Sequence, residues 1–204
     1  MVGLDLSSAV ETARRRIDET DRCLIVQADL YRAPFPPASF DFAYSVGVLH
    51  HLPNPEAGFQ ALTRLVRPGG LVWCWVYGFE GMRWWYRVSH LRWLRPLTTR
   101  LPLWGQEVAT ALVTAALEVA LWTPTRLLGR LPGGRTWAQR IPLSHSCRFS
   151  FRGKMASVFD RLNPPLTHFH TRSELEGWCR RARLSDWQVT NRDGRGWLVS
   201  GRAT

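Results

Sequence analysis

Apolar runs with short links between them constrain this chain more than any other feature. "CLIVQADL" (23–30), "FDFAYS" (40–45) and "LVWCWVYG" (71–78) each have strand length, and one helical pattern lies among them. "RAPFPPASF" (32–40) is a Pro-rich loop that no helix can cross. Asn54 is placed to cap a helix through Val66 with Ala57, Ala61, Leu62 and Leu65 on one face, and "RPGG" (67–70) closes it as a turn. Ahead of these, Val2 to Leu6 reads as a strand with an acid at its tip. Ser7 or Ser8 then caps a helix carrying Val10, Ala13 and Ile17 on one side and Arg14 to Arg16 at its end. Strand–helix alternation of this kind predicts a parallel α/β sheet with strands near 2–5, 23–28, 40–45 and 71–77.

The end of the chain differs. Thr171 and Glu174 form a capping box that opens a helix through Arg183, with Leu175, Trp178, Cys179 and Ala182 inward. "DWQVTNRDGRGWLVSGR" (186–202) reads as an antiparallel hairpin around an Asp193-Gly194 turn. Cys23, Cys74, Cys147 and Cys179 are too scattered for a disulfide framework or a zinc site, so no metal is expected and a cytoplasmic location is.

In their order, Asp5 after a strand, "QADLYRAPFPPASFDFAYSVGVLHHL" and "RPGGLVWCWVYG" resemble the class I S-adenosylmethionine-dependent methyltransferases, nearest the small-molecule and quinone-type group. The resemblance implies a Rossmann-like α/β sheet with a C-terminal antiparallel hairpin, and S-adenosyl-L-methionine as cofactor. It implies that Asp5 holds the ribose hydroxyls, that Leu6 packs on the adenine, and that Asp29 with Leu30 takes the adenine amino group. Ser45, Val46 and Gly47 would line the methionine arm, where glycine permits close backbone approach. Either acid alone reads as an ordinary strand end; the two in this register read as a site.

His50 and His51 follow the strand at 40–45, and one of them is a candidate general base, since imidazole titrates near the working pH. The plainer reading has one packed or capping and the other in solvent, and methyl transfer from a sulfonium can run on alignment alone. His168 and His170 in "THFH" are assigned to the acceptor pocket rather than to a metal, as no third ligand is spaced for one.

Three segments are expected: a cofactor-binding core at 1–78, a helical insertion or lid at 79–155, and a helix and hairpin at 156–204 that complete the core. Residues 1–78 hold 7 Arg against 8 acids, a net of −1, whereas the rest nets +12 and holds 9 of the 11 Trp. "EVATALVTAALEVALW" (107–122) carries Glu107, Thr110, Thr114 and Glu118 as one polar stripe and is otherwise apolar. It falls short of the ~20 residues that span a bilayer, and burial of its apolar residues within a lid near His50 and His170 is expected. In "MRWWYRVSHLRWLRPLTTR" (82–100), Arg92 and Arg95 fall beside Trp84 and Val88, an unclean wheel for an interfacial helix. Peripheral membrane contact through 82–122 is the alternative to lid packing, and it gains if the segment presents a separate apolar surface. Nucleic-acid binding ranks last, because no RNA- or DNA-binding motif accompanies the charge.

The resembled family places a strand and a glycine-rich loop before the Asp5 strand, and neither stands in these 204 residues. A sheet without that first unit is therefore expected, in a chain whose Met1 is an internal residue of a longer enzyme. Such a truncated chain should bind the cofactor weakly or not at all. A cofactor-free scaffold and a basic surface-binding protein are the rival readings, and the acceptor is expected to be an apolar or amphiphilic small molecule.

Overall fold

A computed structural model of the protein describes residues 1–17, 22–78, 94–141, 144–191 and 196–204. The chain divides into two compact units, Met1–Gly81 with Leu166–Thr204, and Met82–Pro165.

In the first unit, β1 (Val2–Asp5) pairs in parallel with β2 (Leu24–Gln27), Asp5 standing opposite Gln27. β3 (Phe40–Val46) pairs in parallel with β4 (Val66–Tyr77). β4 then pairs antiparallel with β6 (Gly196–Arg202), and β6 with β5 (Ser185–Thr190), giving the order β3-β4-β6-β5. Among the described residues no ladder joins β1 to β3. The Asp193-Gly194 turn lies outside the described residues.

Local chemistry explains the helices. Ser7 Oγ accepts from the Ala9 N–H at 3.2 Å where α1 (Ala9–Arg16) begins. In α2 (Pro55–Arg64), Asn54 Oδ1 accepts from the Ala57 N–H at 3.1 Å. The helix ends at Arg64 because Val66 already belongs to β4. "RPGG" is not a plain turn between elements: it loops out within β4, whose pairing jumps from Phe40 with Val66 to Phe42 with Leu71. Gly69, at φ 78°, supplies the left-handed step there. Thr171 and Glu174 form the expected capping box of α8 (Arg172–Arg181), which stops short of Arg183, at φ 53°.

The apolar run of β4 is buried on one side only. Along β4, Val72, Cys74 and Val76 are buried in a cluster with Phe59 and Leu62 of α2 and Leu175, Trp178 and Cys179 of α8. Trp73, Trp75 and Tyr77 alternate with them and are half-buried. β2 has no fully buried residue, and among the described residues its only strand neighbour is β1.

The second unit is helical: α3 (Arg95–Thr98), α4 (Leu103–Leu117), α5 (Thr123–Leu128), α6 (Gly134–Arg140) and α7 (Phe151–Leu162). A π-helical turn, Glu118–Trp122, joins α4 to α5 into one helix. α7 packs on α4, so the boundary expected at 155 lies inside α7 and the unit runs on to Pro165. Burial on α4 is the reverse of the expectation. Thr110 and Thr114 face inward, while Trp104, Val108 and Leu112 are exposed. The inward threonines have partners: Thr114 Oγ1 donates to the Thr110 carbonyl at 2.7 Å, and Asn163 Nδ2 donates to Thr110 Oγ1 at 3.4 Å. Inward polar pairing turns the stripe toward α7 and leaves the aliphatic side out. Residues 82–93 of the segment expected to be interfacial lie outside the described residues.

Candidate functional site

Both candidate acids stand at the C-terminal end of the β1–β2 pair, the end where open α/β sheets take ligands. The Ala28 N–H donates to the Asp5 carbonyl at 3.0 Å, and Gln27 Nε2 donates to the Leu6 carbonyl at 3.1 Å. These bonds set the Asp5 tip beside the chain that leads into Asp29. Asp5 Oδ1 receives the Ser7 N–H at 2.8 Å and the Ser7 hydroxyl at 2.7 Å, so the carboxylate is held with Oδ2 uncommitted. Asp29 Oδ1 takes the Tyr31 N–H at 2.9 Å and caps the 3-10 turn Leu30–Arg32. Leu6 is exposed beside Asp5, and Leu30 packs against the main core. Tyr31 Oη donates to the Asn54 carbonyl at 2.9 Å and accepts its N–H at 3.0 Å, tying the Asp29 turn to the start of α2.

Ser45 and Val46 close β3 opposite Cys74 and Trp75. Gly47 donates its N–H to the Trp75 carbonyl at 3.1 Å with φ 75°, and a Cβ there would meet nothing within 4 Å. A left-handed backbone beside open space is a place where a ligand can approach the main chain closely. Each acid keeps one oxygen uncommitted, as a partner for hydroxyl or amino groups would, and the Gly47 turn stands open.

The structure brings both histidine pairs to one place, the C-terminal end of β3 and β4. His168 donates its N–H to the His50 carbonyl at 2.8 Å, and His51 Nδ1 lies 2.8 Å from the Leu166 carbonyl. The His170 N–H donates to the Tyr77 carbonyl at 3.0 Å, bridging the strap to the end of β4. His50 is fully buried and stacks on Tyr77 at 3.9 Å between ring centroids. Its Nδ1 accepts the Tyr77 N–H at 3.4 Å. His51 is half-buried, and its Nδ1 donates where it faces the Leu166 carbonyl, which makes Nε2 the acceptor nitrogen. Burial, more than Glu174 opposes it, pushes the His170 imidazole below its ordinary value. Tyr77 and Phe169, stacked at 5.5 Å, complete the aromatic wall, and nothing in the order of residues had singled them out. Among the described residues no three His, Cys, Asp or Glu side chains are grouped to hold a metal ion.

Comparison with known proteins agrees with this geometry. A family model described as a methyltransferase domain matches residues 1–74. A sterol 4-C-methyltransferase of Caenorhabditis elegans is 39% identical over 51 residues, which is 25% of this chain and 15% of that protein. The 27-O-demethylrifamycin SV methyltransferase of Amycolatopsis mediterranei is 35% identical over 74 residues, 34% of this chain and 27% of its own. The aligned segments thus cover well under a third of either relative. In fold, the chain is similar to a SAM-dependent methyltransferase of Methanosarcina mazei at a TM-score of 0.52 and 16% identity, covering 99% of this chain and 81% of that one. A SAM-dependent methyltransferase of Thermotoga maritima gives 0.50 at 13% identity, covering 100% and 72%. At these identities the structural likeness speaks for the fold alone. The sequence match over residues 1–74 and the likeness in fold agree: that part of the chain is similar to the methyltransferase domain.

Proposed function

We propose that the protein serves methyl transfer from S-adenosylmethionine to an apolar or amphiphilic small molecule. The observation that carries this is the side-by-side placement of Asp5 and Asp29, each with one oxygen held by the local backbone. In this reading Asp5 Oδ2 takes ribose hydroxyls, Leu6 covers a base face, and Asp29 with the Leu30 backbone takes the exocyclic amine. Ser45, Val46 and the Gly47 turn flank the amino-acid end.

The cofactor, when bound, supplies an electrophilic methyl group on a sulfonium. The chain's task is to bring a nucleophile in line with it and keep water away. His168 and His170 with Tyr77 and Phe169 form the acceptor wall. Where the acceptor is a hydroxyl or ammonium group, His51 is the candidate to take its proton, while buried His50 holds the segment Leu166–His170 in place. The relatives named for sterol and rifamycin substrates, and the aromatic lining here, support an apolar acceptor. The scattered free thiols favour a cytoplasmic setting. The proposed membrane contact belongs to the helical unit and is separate from methyl transfer.

Saturation-transfer NMR with S-adenosylhomocysteine detects even weak binding and tests this reading. Saturation should reach the ribose and adenine protons and should drop in both Asp5→Ala and Asp29→Ala. Loss of a charge-assisted hydrogen bond predicts about tenfold weaker binding for each. Transfer indifferent to both substitutions defeats it.

A further inference from the structure

The helix from Leu103 to Leu128 is built inside out for a protein surrounded by water. It is long and apolar enough to cross a membrane by length and composition, yet only 22% of its most apolar window is buried within the molecule. Its outward stripe is Trp104, Val108, Leu112, Ala115 and Val119, at the i, i+4, i+8, i+11 and i+15 spacing of a single helix face. Trp104 is 70% exposed, Leu112 67% and Val119 75%. The inward side holds Thr110, Thr114 and the Glu118–Lys154 pair. A water-facing helix puts its polar side outward, and this one does the opposite.

We propose that this face docks the helical unit onto an anionic lipid bilayer, lying in the headgroup region with the Trp104–Val119 stripe against the acyl chains. The polar side then faces the unit's own interior, where its hydrogen bonds are already made. Charge chooses the occupant. Residues 82–165 hold 13 basic residues against 3 acids, a net charge of +10, and exposed Arg100 and Arg130 stand just beyond the two ends of the helix. Arginines at the rim of an apolar helix bind lipid phosphate while their stems lie along the apolar surface. Exposed Trp104 near one end and Trp137 beyond the other supply the amphipathic rings that favour a membrane interface. A second copy is disfavoured, because pairing two chains of charge +11 brings like fields together. The inference rests on the helical unit alone, so it stands or falls apart from the methyltransferase reading.

The test is co-sedimentation of the full chain with vesicles of phosphatidylcholine, alone or mixed with phosphatidylglycerol. Binding is expected to both and to be stronger with phosphatidylglycerol. Added salt should reduce that preference without abolishing binding, since the apolar contact is unscreened. Leu112→Glu and Val119→Glu should each weaken binding about tenfold or more with unchanged helical circular dichroism. Leu112→Ser serves as a gentler second variant, and Arg100→Ser with Arg130→Ser should remove the lipid preference. Tyr44→Glu, an exposed apolar site in the other unit, should have no effect. Failure of the folded chain to bind either vesicle overturns the proposal. So does equal weakening by Tyr44→Glu, or a stable dimer that Leu112→Glu dissolves.

Discussion

His168 donates its backbone N–H to the carbonyl of His50 at 2.8 Å, across a sequence separation of more than a hundred residues. That bond fastens the strap Leu166–His170 to the turn after β3, with the His51–Leu166 and His170–Tyr77 contacts on either side. The two histidines of the turn consequently differ in role. His50 is fully buried between His51 and Tyr77, whereas His51 is half-buried. Truncating His50 to Ala should leave a cavity and lower stability by about 2–3 kcal/mol. His51→Ala should cost well under half of that and instead slow proton-coupled methyl transfer with cofactor binding unchanged. Chemical denaturation of the two variants, with S-adenosylhomocysteine binding as the control, separates the roles; equal destabilisation would erase the distinction.

His170 gives the strap a pH dependence. Its ring packs on Trp178 at 4.7 Å, and burial holds its affinity for protons below the ordinary value of 6.5. The unfolded chain therefore takes up this proton first as pH falls. The neutral ring's contribution is complete above about pH 6.5 and is lost between that value and the lower folded one. Glu174 Oε2, 3.8 Å from Nδ1, and His168 are the charged and titratable neighbours, acting in opposite senses. His170→Phe should flatten the fall in Tm between pH 7.5 and 5.5 relative to the unaltered chain. An identical fall in both proteins would remove His170 as its source.

The local bonding of the candidate acids was legible because it depends on neighbours in sequence. An acid at a strand tip, a serine two residues on, and a capping asparagine all act within a few residues, and Asp5, Asp29 and Asn54 each bond to the main chain nearby. The acceptor side was legible only as two histidine pairs. Their union rests on main-chain bonds between distant segments, and Tyr77 and Phe169 enter by packing rather than by any spacing. The sense of α4 was misjudged for a related reason. A lone polar stripe is read as the solvent side unless Asn163 and Lys154, more than 35 residues away, are known to meet it. RPGG shows the converse, where a turn signal is correct chemically yet sits inside a strand's ladder.

The outer side of β3 offers a simple check on the sheet. Phe42, Tyr44 and Val46 are exposed on one face, with Phe42 and Tyr44 stacked at 5.6 Å, and among the described residues β3 has a strand partner on one edge only. An apolar edge strand of this kind invites intermolecular pairing. Tyr44→Lys should raise the concentration at which the purified chain self-associates and leave Tm nearly unchanged, read by light scattering and thermal melting. A large loss of Tm would mean that Tyr44 is packed rather than exposed.

The buried ion pair of the helical unit yields the sharpest asymmetry. Lys154 is 2% exposed, and Nζ meets Glu118 Oε2 at 2.6 Å, with the Trp122 ring 5.1 Å away. Glu118 also pairs with Arg126 and keeps partial access to solvent. Removing the acid leaves an ammonium in the interior with no countercharge, whereas removing the lysine leaves a carboxylate that still has an arginine. Glu118→Gln should therefore cost about 3 kcal/mol and Lys154→Met about 1 kcal/mol or less. The hydrogen bond from Lys154 is the largest influence lowering the Glu118 pKa below its ordinary 4.5. The pair's contribution is accordingly present above that pH and fades as pH falls through the lowered value. Denaturant titrations at pH 7 and pH 3.5 should show the gap between unaltered chain and Glu118→Gln narrowing in acid. Equal losses for Glu118→Gln and Lys154→Met at pH 7 would show that Arg126 does not hold the carboxylate, and would count against this reading of the π-helical turn.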